Sequence, residues 1–499
     1  MRSYILREVP INRIHFFKSR GGEKIEKDIR SIIGISSSTS MKLWLIITIG
    51  LFRLHVQAFC PSTCICDETH PSGRCENAQL SFVPTLLDPR LKSLNLAYNT
   101  IHSISDVLQY YELLEVLDLS HNNISNLGGD NFAVQKRLKD LNLSFNNLTH
   151  LDSKVFNGLK SLFKLDLSHN FISEISKSVF SSTPKLNTLL LSKNRLHTLN
   201  SVSFKGLKNL QVLDLCDNFF REVPRNCLTI LENLETLLIC RNRITYLKEF
   251  DLINPSLVTL SLLSNSISVI DGNALKHLIN LKSLDVGDNL LGEIPSVSFK
   301  YLHSLESLDI SRNKFSIIRN KVFDDLQNLN EIHISRCPYL EIIESRSFSQ
   351  LRNLKNLVIS HNKELTNIPP HLFSPITSLR IIDLKHNNLH SLSESSLPLK
   401  SLKTLDIRDN PFVCNCSLLW LGSLINEPNA SIDITDVKCN EPDKLRGIYL
   451  SRATSSQLLC VDIVLQIVIG VIVICLSSVL IFGLFYFICR LLDKTPKIP

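Results

Sequence analysis

The residues in this chain whose types and spacing are suited to chemistry are three acid–imidazole pairs and a set of clustered cysteines. Asp118 with His121, Asp166 with His169 and Asp383 with His386 share the spacing D-L-x-H. A carboxylate beside an imidazole is how a general base is oriented. These pairs recur without a partnered nucleophile and fall on a surface that does not exclude water, so they read as solvated residues and no catalytic residue is assigned. Of the fourteen cysteines, four lie together at Cys60, Cys64, Cys66 and Cys75, and four more at Cys414, Cys416, Cys439 and Cys460. Their C-x-C spacing also occurs in zinc sites, but no His ligand pattern accompanies it, and the reading is disulfides with no metal and no cofactor.

The elements that position these groups follow from a repeated frame. LLEVLDLSHNNI, SLFKLDLSHNFI and SLESLDISRNKF share L-x-x-L-x-L-x-x-N-x-L. The Asn position recurs at Asn99, Asn122, Asn146, Asn170, Asn194, Asn218, Asn242, Asn265, Asn289, Asn313, Cys337, Asn362, Asn387 and Asn410, at intervals of 23 to 25 residues. This is the period and frame of fourteen leucine-rich-repeat turns. In L-x-L the leucines point inward and the x positions outward, so each turn contributes a short strand that stacks on its neighbour at about 4.8 Å. Each Asn sits where the chain leaves the strand, and its amide can both donate to and accept from the backbone of adjacent turns. Phe132, Phe156, Phe180, Phe204, Phe299, Phe323, Phe348 and Phe373 recur at a matching offset and predict an aromatic spine on the opposite side. The fold class predicted is an α/β-type solenoid, a horseshoe with a parallel concave sheet over residues 91–412.

Two apolar segments flank the array. Residues 41–58 have a basic start at Lys42, a short apolar core and a small terminal residue, the layout of a secretory signal cleaved after Ala58. Residues 1–40 then read as an upstream extension with Met41 as the working start. The second segment, residues 463–488, holds Gln466 as its one strongly polar member and is long enough to span a ~30 Å hydrocarbon core with tilt. Arg490, Lys494 and Lys497 follow it and assign residues 489–499 to the cytoplasm, which makes the protein single-pass type I in the plasma membrane. Of the net charge of +7, residues 1–58 carry +6 and the tail +2, leaving −1 for everything between. A general nucleic-acid or heparin footprint is thereby excluded. Cys489 at the membrane edge is a candidate for palmitoylation.

The cysteine clusters cover the raw ends of the solenoid, at residues 59–90 and 413–460. With CPSTCIC at one end and NPFVCNCSLLWL at the other, residues 60–460 resemble the extracellular leucine-rich-repeat receptor and adhesion family. The resemblance implies the pairs Cys60–Cys66, Cys64–Cys75, Cys414–Cys439 and Cys416–Cys460. It also implies a protein ligand bound on the concave sheet. The family includes Toll-like receptors, but the chain departs from their pattern in carrying no signalling domain after Cys489.

Outward strand positions are mostly polar or acidic and are apolar at three, Leu190, Leu238 and Val358, of which the first two fall near Leu263, Cys216 and Cys240. Leu190, Leu238 and these three neighbours form the candidate ligand patch. Arg241, Arg312, Arg336, His361 and His386 are expected along one edge, which would suit an acidic rim on the partner. Cys216 and Cys240 occupy equivalent positions on adjacent strands, where the separation permits a bond but parallel side-chain directions disfavour it. Cys227 is an equally open partner for either, and one cysteine left over would allow an intermolecular disulfide; Cys337 reads as a buried thiol. Sequons occur at Asn123, Asn142, Asn147, Asn429 and Asn415, the last containing the cap cysteine Cys416. Expected functions are a cell-surface recognition protein in adhesion or as a co-receptor, an innate immune pattern sensor acting with a signalling partner, or a docking protein tethering a secreted factor. Only Val461 and Asp462 separate the last cap cysteine from the span, which favours a signalling co-receptor in the same membrane.

Overall fold

The structure, a computed structural model, describes residues 60–492 except 68, 106, 428–431, 459 and 461–462. The extension, the signal segment, Asn429 and residues 493–499 lie outside the described residues, as does the side chain of Cys489.

Fourteen three-residue strands, from Ser93–Asn95 to Thr404–Asp406, each centre on the first apolar residue of the L-x-L frame of one turn. They pair in parallel and in register, so that Leu94, Leu117, Leu141 and Leu165 stand in line. Each strand shows a buried centre between two partly exposed neighbours, the burial pattern of Thr188–Leu190 and Thr236–Leu238 among others. That alternation is the period-2 signature of a sheet with one face in the core. Because the connections are too short for full helices, the opposite side is built largely of turns, with single-turn helices at Arg225–Leu228 and Ser296–Phe299.

The asparagine column holds the turns together. Asn146 is typical: its Nδ2 donates to Leu119 O, Leu143 O and Ser144 O at 2.9, 3.1 and 3.2 Å, and its Oδ1 accepts from Ile124 N at 3.0 Å. One amide thus satisfies backbone groups of two turns where the sheet ladder ends. A second column does similar work on the other edge of the strands, where Asn209, Asn233, Asn280, Asn328 and Asn353 each donate to a carbonyl of the preceding turn at 2.7–3.0 Å. The phenylalanine spine is fully buried, with Phe156–Phe180 centroids at 5.7 Å and Phe323–Phe348 at 5.4 Å.

At the N-terminal end an antiparallel hairpin, Ile65–Asp67 with Ser72–Arg74, joins the sheet through Ser93–Asn95 and is tied by Cys60–Cys66 and Cys64–Cys75. At the other end the helix Leu419–Ile425 packs over the last turns, with Cys414–Cys439 closed. The expected Cys416–Cys460 bond is not formed. Both thiols are free but neighbours, and burial, with Cys416 beside it, pushes the Cys460 thiol up to about 11. A separate helix, Ile463–Leu492, contains the stretch Ile467–Ile488, 22 residues of mean hydropathy 3.0, long and apolar enough to cross a membrane.

Candidate recognition face

Three outward columns run along the strands, and their chemistry changes along the solenoid. The central column carries Asp118, Asn142 and Asp166 in the early turns and Asp285 and Asp309 later. Burial, opposed by the Gly287 N–H and reinforced by the Asp309 charge, raises the Asp285 carboxyl above its ordinary range. Between these acids the four turns from Thr188 to Leu263 present Thr188, Val212, Thr236 and Thr259 in the first column and Leu190, Asp214, Leu238 and Ser261 in the second, all partly exposed. Register puts Leu190 and Leu238 on either side of Asp214. Leu263 extends this group over Gly287, where an added Cβ would lie 3.3 Å from the Leu263 Cδ1.

Cys216 and Cys240, expected as exposed members of the patch, form its floor instead. They are bonded to each other across a Cα–Cα distance of 4.5 Å and are only 4% and 7% exposed. At this position the chain is already turning off the strand, which brings the side chains of consecutive turns toward each other and offsets the parallel directions expected of flat strands. Cys227 is 1% exposed, its thiol donating to Pro224 O at 3.0 Å and pushed up to about 12 by burial. An intermolecular disulfide through Cys227 is therefore ruled out by its environment. Cys337 is likewise fully buried.

None of the three acid–imidazole pairs is a dyad. Asp118 and Asp166 accept from the backbone N–H of Ser120 and Ser168 at 2.8 and 2.9 Å, and Asp383 pairs with Lys385 at 2.8 Å. Their histidines stand instead on a rim, the residue before each column Asn, where the backbone is left-handed in every turn with φ from 48° to 59°. In the first four turns the rim is a stack that the sequence did not disclose. Tyr98, His121, Phe145 and His169 lie face to face, with centroids 4.0, 4.0 and 3.8 Å apart and interplanar angles of 11°, 13° and 18°. Tyr98 and Phe145 sit in the idioms A-Y-N and S-F-N, and only their shared place before the column Asn marks them.

Of the edge expected from Arg241 to His386, Arg241 is neutralised by Asp217 at 2.7 Å. Arg312 and Arg336 are exposed, and His361 meets His386 at 4.4 Å, with His386 also 3.4 Å from Asp409. Of the sequons, Asn123 and Asn147 are exposed. Asn142 is half-buried and engaged, donating to Asp118 Oδ2 at 3.3 Å and accepting from Ser144 N at 3.0 Å. Asn415 is exposed and accepts from Ser417 N at 2.9 Å.

The model of the leucine rich repeat family matches seven segments that together cover residues 89–244 and 255–412. The chain is 31% identical to human (Homo sapiens) oligodendrocyte-myelin glycoprotein over 97 residues, 19% of this chain and 21% of that one. It is 36% identical to Toll-like receptor 2 type-2 of Gallus gallus over 123 residues, 24% and 16%, and 32% identical to leucine-rich repeat-containing protein 3B of Mus musculus over 131 residues, 26% and 51%. It thus spans about half or less of each of these relatives. Among solved structures, the TLR13–ssRNA13 complex superposes with a TM-score of 0.53 at 27% identity, covering 71% of this chain and 52% of that one. The LRIM1/APL1C complex gives 0.56 at 22% identity, covering 81% and 72%. With the family's frame over more than half its length, a parallel sheet stacked turn on turn and disulfides near both ends, the chain belongs to the leucine-rich-repeat family.

Proposed function

We propose that the chain is a cell-surface recognition protein, membrane-spanning once with the repeats outside, that binds an extracellular protein on its sheet face in adhesion or as a co-receptor. The observation that carries this reading is the apolar window at Leu190, Leu238 and Leu263, around Asp214. Three large aliphatic side chains stay partly in solvent, Leu190 and Leu238 in a column that is otherwise largely acidic or polar and Leu263 in the next column outward, and an exposed apolar group with a polar border is what a protein partner desolvates. The disulfide beneath it fixes the two turns that carry the centre of the window. A glycan at Asn123 or Asn147 would leave this window open, and glycosylation at those two sites is part of the proposal.

A nucleic-acid ligand, as in the TLR13 complex, is disfavoured here, since Asp118, Asp166, Asp214, Asp285 and Asp309 line the face and repel a phosphate backbone. The short spacer before the span supports a partner in the same membrane. Proximity labelling on living cells tests the proposal: extracellular proteins captured by the wild type should disappear with Leu238→Arg or Leu190→Arg while surface level is unchanged. Unaltered capture would refute the window. An epitope placed after Ala58 should stain intact cells, and staining only after permeabilisation would refute the orientation.

A further inference from the structure

One group of cations on the rim has no counter-charge. Arg312 and Lys314 flank Asn313, Arg336 precedes Cys337, and His361 and Lys363 flank Asn362. Their turns are consecutive, since Ser307–Asp309, Glu331–His333 and Asn356–Val358 pair in parallel register. Arg312, Lys314, Arg336 and Lys363 are all exposed, and none of the four has a carboxylate within ion-pair distance among the described residues. Elsewhere on this side Arg241 is neutralised by Asp217 at 2.7 Å, Lys385 by Asp383 at 2.8 Å and Arg408 by Asp406 at 2.7 Å, Arg195 and Arg243 lie over the Phe171 and Phe219 rings, and Lys193, exposed and outside any ion pair among the described residues, stands between His169 and Asp217 rather than beside another cation. The nearby acids are engaged elsewhere. Asp309 accepts from Ser311 N at 2.8 Å, Glu331 faces His333 at 2.9 Å, and Asp288 accepts from the Ser264 hydroxyl at 2.6 Å. Glu364, next to Lys363, lies beyond ion-pair distance of it.

Like charges on adjacent turns, about 4.8 Å apart along the sheet, repel one another in the free protein, and an anion laid along them removes that cost. The section of chain between signal segment and tail is −1 net, so this concentration is local and not a property of the whole surface. We propose that the rim from Arg312 to Lys363 binds an acidic, extended polypeptide segment of the same protein ligand that the apolar window receives. The proposal rests on the reading of the face given above, to which the rim is adjacent, beginning two turns past Leu263. A peptide fits better than a sulfated polysaccharide. The strip is narrow and bordered on its sheet side by Asp309 and Glu331, which repel a chain charged on all sides. An extended peptide can instead turn alternate carboxylates to the rim, where the forked guanidinium groups of Arg312 and Arg336 accommodate them two oxygens at a time.

The test uses the full-length protein in detergent and a fluorescein-labelled hexaglutamate peptide, with hexaglutamine as control, read by fluorescence anisotropy at low salt. The peptide should bind, the control should not, and binding should fall steeply as salt is added. Arg312→Ala with Arg336→Ala should weaken it at least tenfold, Lys314→Ala with Lys363→Ala should do the same if the first pair perturbs melting, and Leu238→Ser should leave it within twofold. Absent binding by the wild type, or binding by both double variants as tight as the wild type's, would overturn the proposal. So would a sulfated dextran oligosaccharide of equal charge binding tenfold more tightly than the peptide. Failure of the window reading would register separately, as partner capture on cells that survives Leu238→Arg while the peptide result stands.

Discussion

The two ends of the rim are built on one backbone and solve it in opposite ways. From Tyr98 to His169 and from Arg312 to His386, each residue has the same left-handed φ and each precedes a column residue buried beneath it. At the first end flat rings close the gap between turns and contact one another at 3.8–4.0 Å, so the side chains satisfy each other. At the second end only His361 and His386 meet, at 4.4 Å, while Arg312 and Arg336 enter no ring contact or ion pair among the described residues and remain in solvent. The first arrangement is cohesive and the second is available to a partner; the same position in the repeat serves structure or recognition according to side-chain shape and charge alone.

The widest test of that comparison removes the shared foundation. Asn146→Ala and Asn313→Ala each delete an amide that donates to three carbonyls, and each should cost about 3 kcal/mol in chemical denaturation, given 1–3 kcal/mol for each buried group left unsatisfied. Unequal losses would mean that the ends differ in their backbone support too. Next, Phe145→Ala breaks two stacked contacts and should cost about 1–2 kcal/mol. A loss below about 0.5 kcal/mol would deny the stack a cohesive role.

Acidification should separate the ends by a different measurement. His169 is held below its ordinary value by burial and by Lys193, and His361 by burial and by Arg336, His386 and Lys385, against a raising effect from Asp383. In both, the fold favours the neutral ring, so stability is complete above the unfolded value of about 6.5 and is lost as pH falls through the lower folded value. Melting temperature should therefore decline between about pH 7 and 5.5, before the buried Asp251 and the half-buried Asp140, Asp285 and Asp324, whose carboxyls burial raises, take up protons. As pH falls hexaglutamate binding should strengthen when His361 gains charge, and a flat binding profile would remove that residue from the site. The smallest effect is expected for Arg336→Ala, which should change stability by under about 0.5 kcal/mol.

Much of the fold could be read from spacing because each turn repeats its physical problem. Leucines at L-x-L must be buried, a corner carbonyl must find a donor, and the Asn column answers the second need in the way its two-sided amide predicts. The Phe spine was legible for the same reason. The site was harder. Leu190 and Leu238 emerge as half-exposed strand residues, but Cys216 and Cys240 were misplaced because strand alternation does not describe a residue at which the chain is leaving the strand. The ring stack was hidden since Tyr, His and Phe share no type, only a register. Lys314 and Lys363 were passed over because each is unremarkable until the turns are stacked and the absence of carboxylates around them becomes visible.

The unbroken row of left-handed backbone also restricts which amino acids the rim can use. Across its fourteen positions stand Tyr, His, Phe, Lys, Asp, Arg and Ser, and no Val, Ile or Thr. A branch at Cβ collides with the backbone at positive φ, so a β-branched substitution anywhere along the row is penalised before any partner is considered, whereas Asn, Asp and Gly are admitted freely. The rim is consequently a display surface with a limited alphabet: its charge and aromaticity can be rewritten turn by turn without touching the core, but a β-branched aliphatic contact cannot be written there and must come from the strands, as Leu190 and Leu238 show for the aliphatic contacts this molecule does present.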